Sequence, residues 1–244
     1  GKRYNMYIYI IAFFMSSFLL KLAPRFNKNK ILQLFINLIA LIIPCILAGV
    51  RNSIIGTDVK SYVIPMFKCA TNSKNFYMYM NMKWFSIWTY WEIKQIEFGF
   101  SLLVYIVCKL TGNLQWLLFC IQLLTIIPIY LGLKKFKDLK SDIWFAILVY
   151  FLLFYNLSLN LMRQFISIGI IFFGTSCLIN DRNGKMKFWL ALFVAYLFHR
   201  SALLGIFIYI IYVILMYKGQ KEIVIKINKH KVNAKKIFAL TIII

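Results

Sequence analysis

Arg51, Arg163 and Arg200, the carboxylic acids Asp58 and Glu97, and His199 are the ionisable residues of this sequence best suited to chemistry. Arginine presents a planar fork that donates two parallel hydrogen bonds to a phosphate or carboxylate. Histidine titrates near neutral pH and can take a proton from an attacking hydroxyl. Together these types suit a phosphate-bearing ligand with a proton transfer beside it. Singly, two of them have plainer readings. Arg163 reads equally as a boundary residue snorkelling to the membrane surface, and His199 as a hydrogen-bonded interfacial histidine.

What makes the group informative is its setting. The 244 residues are 62% hydrophobic and 15% charged, with 29 Lys+Arg against 7 Asp+Glu and a formal net charge of +22. Soluble domains are about 45–50% apolar and about 25% charged, and disorder requires low hydrophobicity, so both classes are excluded. Nucleic acid is not the partner implied by the charge, because the basic residues punctuate long apolar runs as in a polytopic membrane protein.

Apolar runs long enough for a bilayer core of about 30 Å extend over Met6–Leu20, Ile31–Val50, Leu114–Leu133, Ile143 to about Leu159, and about Gln164 to Asn180. Lys2 and Arg3 precede the first run, but no small-x-small cleavage site follows it, so it reads as an anchor. Two shorter runs flank His199 between Phe188 and Tyr217; a single 30-residue helix there would be about 45 Å long, too long for one crossing. The end, Ile237–Ile244, reads as the first half of another span and so as a chain cut short. The expected fold is all-α: one integral membrane domain over 1–244, a polytopic transmembrane helix bundle of about seven spans plus a truncated eighth.

Four basic residues in Lys21–Lys30, four in Lys134–Lys140, three in Arg182–Lys187 and seven in Lys218–Lys236 assign those connections to the cytoplasm. Residues 218–236 are then a basic cytoplasmic loop and 51–97 an extracytoplasmic one. The apolar stretch Phe98–Leu110 is short for a span, and counting it as one would put the lysines at 134–140 outside. It is expected as a re-entrant or interfacial helix. The same topology places Arg51, Asp58, Glu97, Arg163, His199 and Arg200 on one outer face. Three arginines there run against the charge rule, and an anionic ligand supplies the reason.

The outer loop is aromatic, with Phe76-Tyr77-Met78-Tyr79-Met80, Trp84, Trp88, Tyr90 and Trp91. An interfacial belt and a platform for sugar rings both fit that composition. Five cysteines without a Cys-x-x-Cys pair read as small hydrophobes. There is no paired-histidine zinc motif, P-loop or GxGxxG, and neither a metal nor a cofactor is expected. His230 sits in the lysine-rich tail and is expected to be solvated.

Four short elements carry a resemblance. Arg51-Asn52-Ser53-Ile54-Ile55-Gly56-Thr57-Asp58, with Tyr62 four residues on, resembles the Arg-x4-Gly-Thr-Asp…Tyr signature of the EpsG family of exopolysaccharide proteins, relatives of the Wzy-type polysaccharide polymerases. Glu97-Phe98-Gly99-Phe100 resembles that family's Glu-Pro-Gly-Phe. Asn160-Leu161-Met162-Arg163-Gln164 resembles its Asn-x-x-Arg-Gln, and Phe198-His199-Arg200-Ser201-Ala202 its Phe-His-x-Ser-Ala. Phe98 stands where proline is usual and Val59 where an aromatic is common.

The resemblance implies a bacterial cytoplasmic membrane protein that joins polyprenyl-diphosphate-linked oligosaccharides at the outer face, in company with the lipid bilayer and other capsule assembly proteins. In that reading His199, Arg163 and Arg51 are catalytic, with Asp58, Glu97, Arg200, Tyr62 and Gln164 binding substrate. Asp58 either orients a sugar hydroxyl or pairs with Arg51, while Gly56 and Thr57 shape the turn. The alternatives are a flippase, which calls for arginines through the bilayer depth, and a scaffold, which needs none of them.

Overall fold

In the computed structural model, residues 6–52, 56–86, 89–136, 142–218, 224–227 and 230–233 are described. Trp88, the half-span 237–244 and the lysines at 137 and 140 lie outside them. Helices dominate because long apolar stretches in lipid must satisfy every backbone group internally. The helices are α1 (Met6–Leu22), α2 (Lys30–Val50), α3 (Ile64–Asn72), α4 (Phe76–Met80), α5 (Phe98–Thr111), α6 (Leu114–Lys135), α7 (Ile143–Leu153), α8 (Tyr155–Asn160), α9 (Met162–Asn180), α10 (Gly184–Tyr196) and α11 (Gly205–Lys218).

Among the described residues, four helices are long and apolar enough to cross a membrane: α1 with the 3₁₀ turn that follows it, α2, α6 and α9. Further apolar helices are shorter, among them α5, α7 and the stretch that becomes α11. The run expected from Ile143 to Leu159 breaks at Phe154 into α7 and α8. Within 51–97, expected as a loop, the described residues include a π-helical segment at Val59–Val63, α3, α4 and an antiparallel pair of β1 (Lys83–Ser86) and β2 (Thr89–Glu92). In the basic tail, Val224–Ile227 pairs with His230–Asn233 as a second hairpin.

α6 and α9 form the spine and share two cores. One buries Phe13, Leu41, Ile126, Phe151 and Tyr155 between α1, α2, α6, α7 and the start of α8. The other buries Met66, Phe100, Val104, Leu117 and Ile121 among α3, α5 and the first turns of α6. α5 is 14 residues, about 21 Å, and packs on α3 and the first turns of α6, so it caps one end of the bundle.

Proline in a helix removes a hydrogen bond to the carbonyl four residues earlier, which is costly in lipid. For Pro44 of α2 that carbonyl belongs to Ala40. The buried Ser16 hydroxyl of α1 donates to it at 2.6 Å, and the Tyr155 hydroxyl donates to the carbonyl of Pro44 itself at 2.6 Å. These bonds fix α1 and α8 against α2. At one end of the bundle Lys135 and Lys187 both donate to Asp181, at 2.8 and 2.5 Å, and Lys21 lies over the Trp144 ring. The candidate site lies at the opposite end.

Candidate functional site

The site forms where α5, α9 and the turn between α10 and α11 begin or end. Glu97 occupies the N-cap position of α5, but its side chain leaves that helix's N–H groups and points across to two other elements. Arg163, in the first turn of α9, donates through Nη1 to Glu97 Oε2 at 2.5 Å. The other oxygen, Oε1, lies 3.0 Å from His199 Nδ1 and accepts from the Arg200 backbone N–H at 3.3 Å. The Glu97 side chain is only 8% exposed, while those of Arg163 and His199 are 21% and 27% exposed, so the carboxylate is sunk and its partners face the opening.

One glycine makes this convergence possible. The Gly99 N–H donates to the Leu197 carbonyl at 2.7 Å, and a Cβ on Gly99 would lie 2.8 Å from that oxygen. Only glycine lets the start of α5 dock on the chain two residues before His199. Phe98 is the first residue of α5, a position that tolerates proline because its N–H is unpaired in any case. Gly99→Ala is expected to lower stability by about 1–3 kcal/mol, the cost of overpacking a close contact, seen as a lower melting temperature of the detergent-solubilised protein.

A second arm arrives from the Gly-Thr-Asp stretch. Gly56 has φ of 104°, which favours glycine, and the Thr57 N–H donates to Asn160 Oδ1 at 3.3 Å, tying the stretch to the end of α8. Thus Gly56 and Thr57 shape a docking turn. The π-helical turn that follows carries Tyr62, whose hydroxyl donates to Asp58 and whose ring lies 4.5 Å from the centre of the Arg163 guanidinium. The six residues Asp58, Tyr62, Glu97, Arg163, His199 and Arg200 therefore form one cluster drawn from four separated stretches.

Arg51 is buried, 6% exposed, and its Nη2 meets the Sδ of Met162, the residue before Arg163, at 3.9 Å, while Nε and Nη1 have no hydrogen-bond partner among the described residues. Asp58 is engaged with Tyr62, so the pairing of Asp58 with Arg51 is not what forms. A buried guanidinium with unused donors is costly unless an anion meets it. Arg163 Nε is likewise unpaired. Gln164 lines an apolar cleft beside α9.

The two carboxyl groups titrate in opposite directions. Burial alone would push Glu97 up, but the hydrogen bond with His199 and the charge of Arg163 outweigh it and hold the group below the ordinary carboxylate value. Burial pushes Asp58 up, only partly offset by the Tyr62 hydroxyl and the Arg163 charge. The two carboxyls thus sit in opposed environments, Glu97 in one that favours its anion and Asp58 in one that disfavours it. With Glu97 ionised, His199 Nδ1 must hold the proton, leaving Nε2 as the basic nitrogen.

Sequence reasoning missed Asn160 and Gly99 as positioning residues, although both stand within the recognised elements. The aromatic loop also divides. Trp84 is buried and anchors the hairpin by donating to the Ser61 carbonyl at 3.1 Å, whereas Tyr77, Phe85 and Tyr90 are exposed. All five cysteines are free and four of them are buried.

Residues 34–243 match the family model described as the EpsG family. No curated protein and no solved structure matches the chain.

Proposed function

This chain belongs to the EpsG family, membrane proteins of exopolysaccharide biosynthesis, and we propose that it is a polysaccharide polymerase acting on lipid-linked oligosaccharides. The observation that carries the reading is the convergence of Arg163 and His199 on the buried Glu97 carboxylate.

In the proposed reaction an acceptor sugar hydroxyl attacks the anomeric carbon of a donor whose leaving group is a polyprenyl diphosphate. The new C–O bond forms as the bond to the diphosphate breaks, and its electron pair leaves with the phosphate oxygen. His199 Nε2 takes the hydroxyl proton, and Glu97 holds the ring by its Nδ1–H and stabilises the imidazolium, as the carboxylate of a hydrolase triad does. Arg163 and Arg51, with Arg200 at the exposed rim, meet the charge that develops on the diphosphate; fixed donors in a water-poor site are worth far more than in water. In this reading Asp58 and Tyr62 bind sugar hydroxyls. The chemistry proposed is glycosyl transfer without a metal, at the outer face of the cytoplasmic membrane, where the lysine-rich connections orient the chain.

The collection of arginines at one end of the bundle favours this over a flippase. The test is His199→Ala in cells, with lipid-linked sugars extracted and sized. Polymer is expected to fall about a hundredfold, the usual worth of a general base, with single repeat units accumulating on the outer face. Units stranded on the inner face would indicate a flippase, and normal polymer would sink the assignment.

A further inference from the structure

One surface at the site end of the bundle carries charge that the fold does not answer. The π-helical segment at Val59–Val63 runs on into α3, and the two, five and nine residues long, span about 20 Å. This stretch turns Val63, Met66, Phe67 and Ala70 inward and leaves Lys60, Lys68 and Asn72 exposed. Lys74, also exposed, follows α3, and α4, which packs on α3, leaves Tyr77 81% exposed. Residues 51–113 hold seven Lys+Arg against three acids, Asp58, Glu92 and Glu97, so few partners exist for these lysines. All three acids are engaged elsewhere: Glu97 with Arg163 and His199, Asp58 with Tyr62, and Glu92 with Lys83. Among the described residues, Lys60, Lys68 and Lys74 have no ion-pair or hydrogen-bond partner. They form an uncompensated basic face on the helical stretch that carries Tyr62.

We propose that this face binds the saccharide part of the substrate and that the saccharide is anionic, its repeat unit carrying a carboxylate, phosphate or sulfate group. The inference rests on the proposed function and narrows its substrate class. Surface lysines are ordinarily just solvated, but like charges gathered without acids repel one another and weaken the compact state. An anionic partner removes that repulsion. Because the chain belongs to a family of exopolysaccharide biosynthesis, the polyanion that fits is a polysaccharide. Charge complementarity then separates an acidic glycan from a neutral one, since a neutral chain leaves the ammonium groups unanswered. Position supports the same occupant. Lys60 shares the π-helical segment with Tyr62, whose ring lies 4.5 Å from the centre of the Arg163 guanidinium, so a glycan along this face reaches the charged cluster at its Lys60 end. Lysine also suits a chain that must slide. Its flexible point charge meets anions at successive repeats, whereas the arginine fork fixes a single geometry.

The test uses the intact chain in nanodiscs of phosphatidylcholine, a lipid without net charge. The probe is fluorescent oligogalacturonate, with its methyl ester as the same saccharide stripped of charge. The acid is expected to bind and the ester not, and binding should weaken as salt rises, because exposed charges are screened over about 8 Å at physiological ionic strength. Lys60→Gln, Lys68→Gln and Lys74→Gln together are expected to raise the Kd about tenfold, equivalent to about 1.4 kcal/mol of binding. A second triple variant, Arg25→Gln, Lys28→Gln and Lys30→Gln, removes the same charge around the turn between α1 and α2, at the other end of the bundle, and should leave the Kd unchanged. All six side chains are exposed, so both variants keep the cores intact. Equal binding of acid and ester, an equal loss in the two triple variants, or no loss in the first would overturn the proposal. Phosphatidylglycerol that co-purifies with wild type and not with the first variant, with no binding of the acid, would assign the face to lipid headgroups and overturn it too. Binding is read without turnover. A protein that polymerises but ignores oligogalacturonate defeats this inference and spares the proposed function, and one that binds it through these lysines but makes no polymer does the reverse.

Discussion

Arg163→Ala is expected to abolish polymer formation, with a loss of about a thousandfold, the upper range for removing one donor aimed at a developing anion. Arg163 joins three features of the site. It donates to Glu97, it lies over the Tyr62 ring, and its Nε is buried without a partner. The first two hold the guanidinium in place, and the third leaves a donor for substrate. Alanine also strips Glu97 of its counter-charge, and breaking a buried ion pair costs about 3–5 kcal/mol. Lysine separates the two effects, since it keeps the charge and loses the fork. Arg163→Lys should restore most of the protein level in the membrane and little of the activity. Full activity with lysine would show that charge alone is needed and would remove the bidentate role.

Glu97→Gln is expected to reduce polymerisation about a thousandfold or more, comparable to the loss when a triad carboxylate becomes an amide. Glutamine keeps the shape of the side chain. It can no longer neutralise Arg163 or enforce a proton on His199 Nδ1, so the imidazole is free to present the wrong nitrogen. The variant also predicts a pH dependence of stability. Because the Glu97 carboxyl is held below its ordinary value in the folded chain, its contribution is fully present above the unfolded carboxylate pKa, about 4.3. It is lost as pH falls through the lowered folded value. Wild type should therefore melt above Glu97→Gln near neutral pH, and the gap should close as the solution is acidified below the carboxylate range. Asp58 acts with the opposite sign, because its pKa is raised and acid relieves its burial. It is common to both proteins, so the difference between the two melting curves isolates Glu97. A gap that persists at acid pH would contradict the ion-pair account.

The elements of the site were legible because each lies within a short local pattern. Gly56 announces a turn, Glu97-Phe98-Gly99 a helix start, and His199-Arg200 a break in an apolar run. The connections between them were not legible. Asp58 had Arg51 seven residues away as an obvious partner, yet it pairs with Tyr62, since the π-helical turn brings that hydroxyl to it and Arg51 is buried beside Met162. Glu97 read as one of several acids on a face. Its place at the centre depends on Gly99 meeting the Leu197 carbonyl, 98 positions along the chain, and no local periodicity encodes that contact.

The amino-acid sequence by itself determined that this is an integral membrane protein, where its longer apolar helices lie, and which residue types could carry its chemistry. Those properties are sums over neighbouring residues: hydropathy over a window, charge over a connection, motif over a few positions. Tertiary structure alone decided that described parts of 51–97 fold into short helices and a hairpin, that the Asp58 and Glu97 carboxyls are shifted in opposite directions, and that Arg163 and His199 meet on Glu97. Burial and pairing arise from groups brought together across about a hundred residues, and only the packing of α5, α9 and the turn after α10 sets which of them meet.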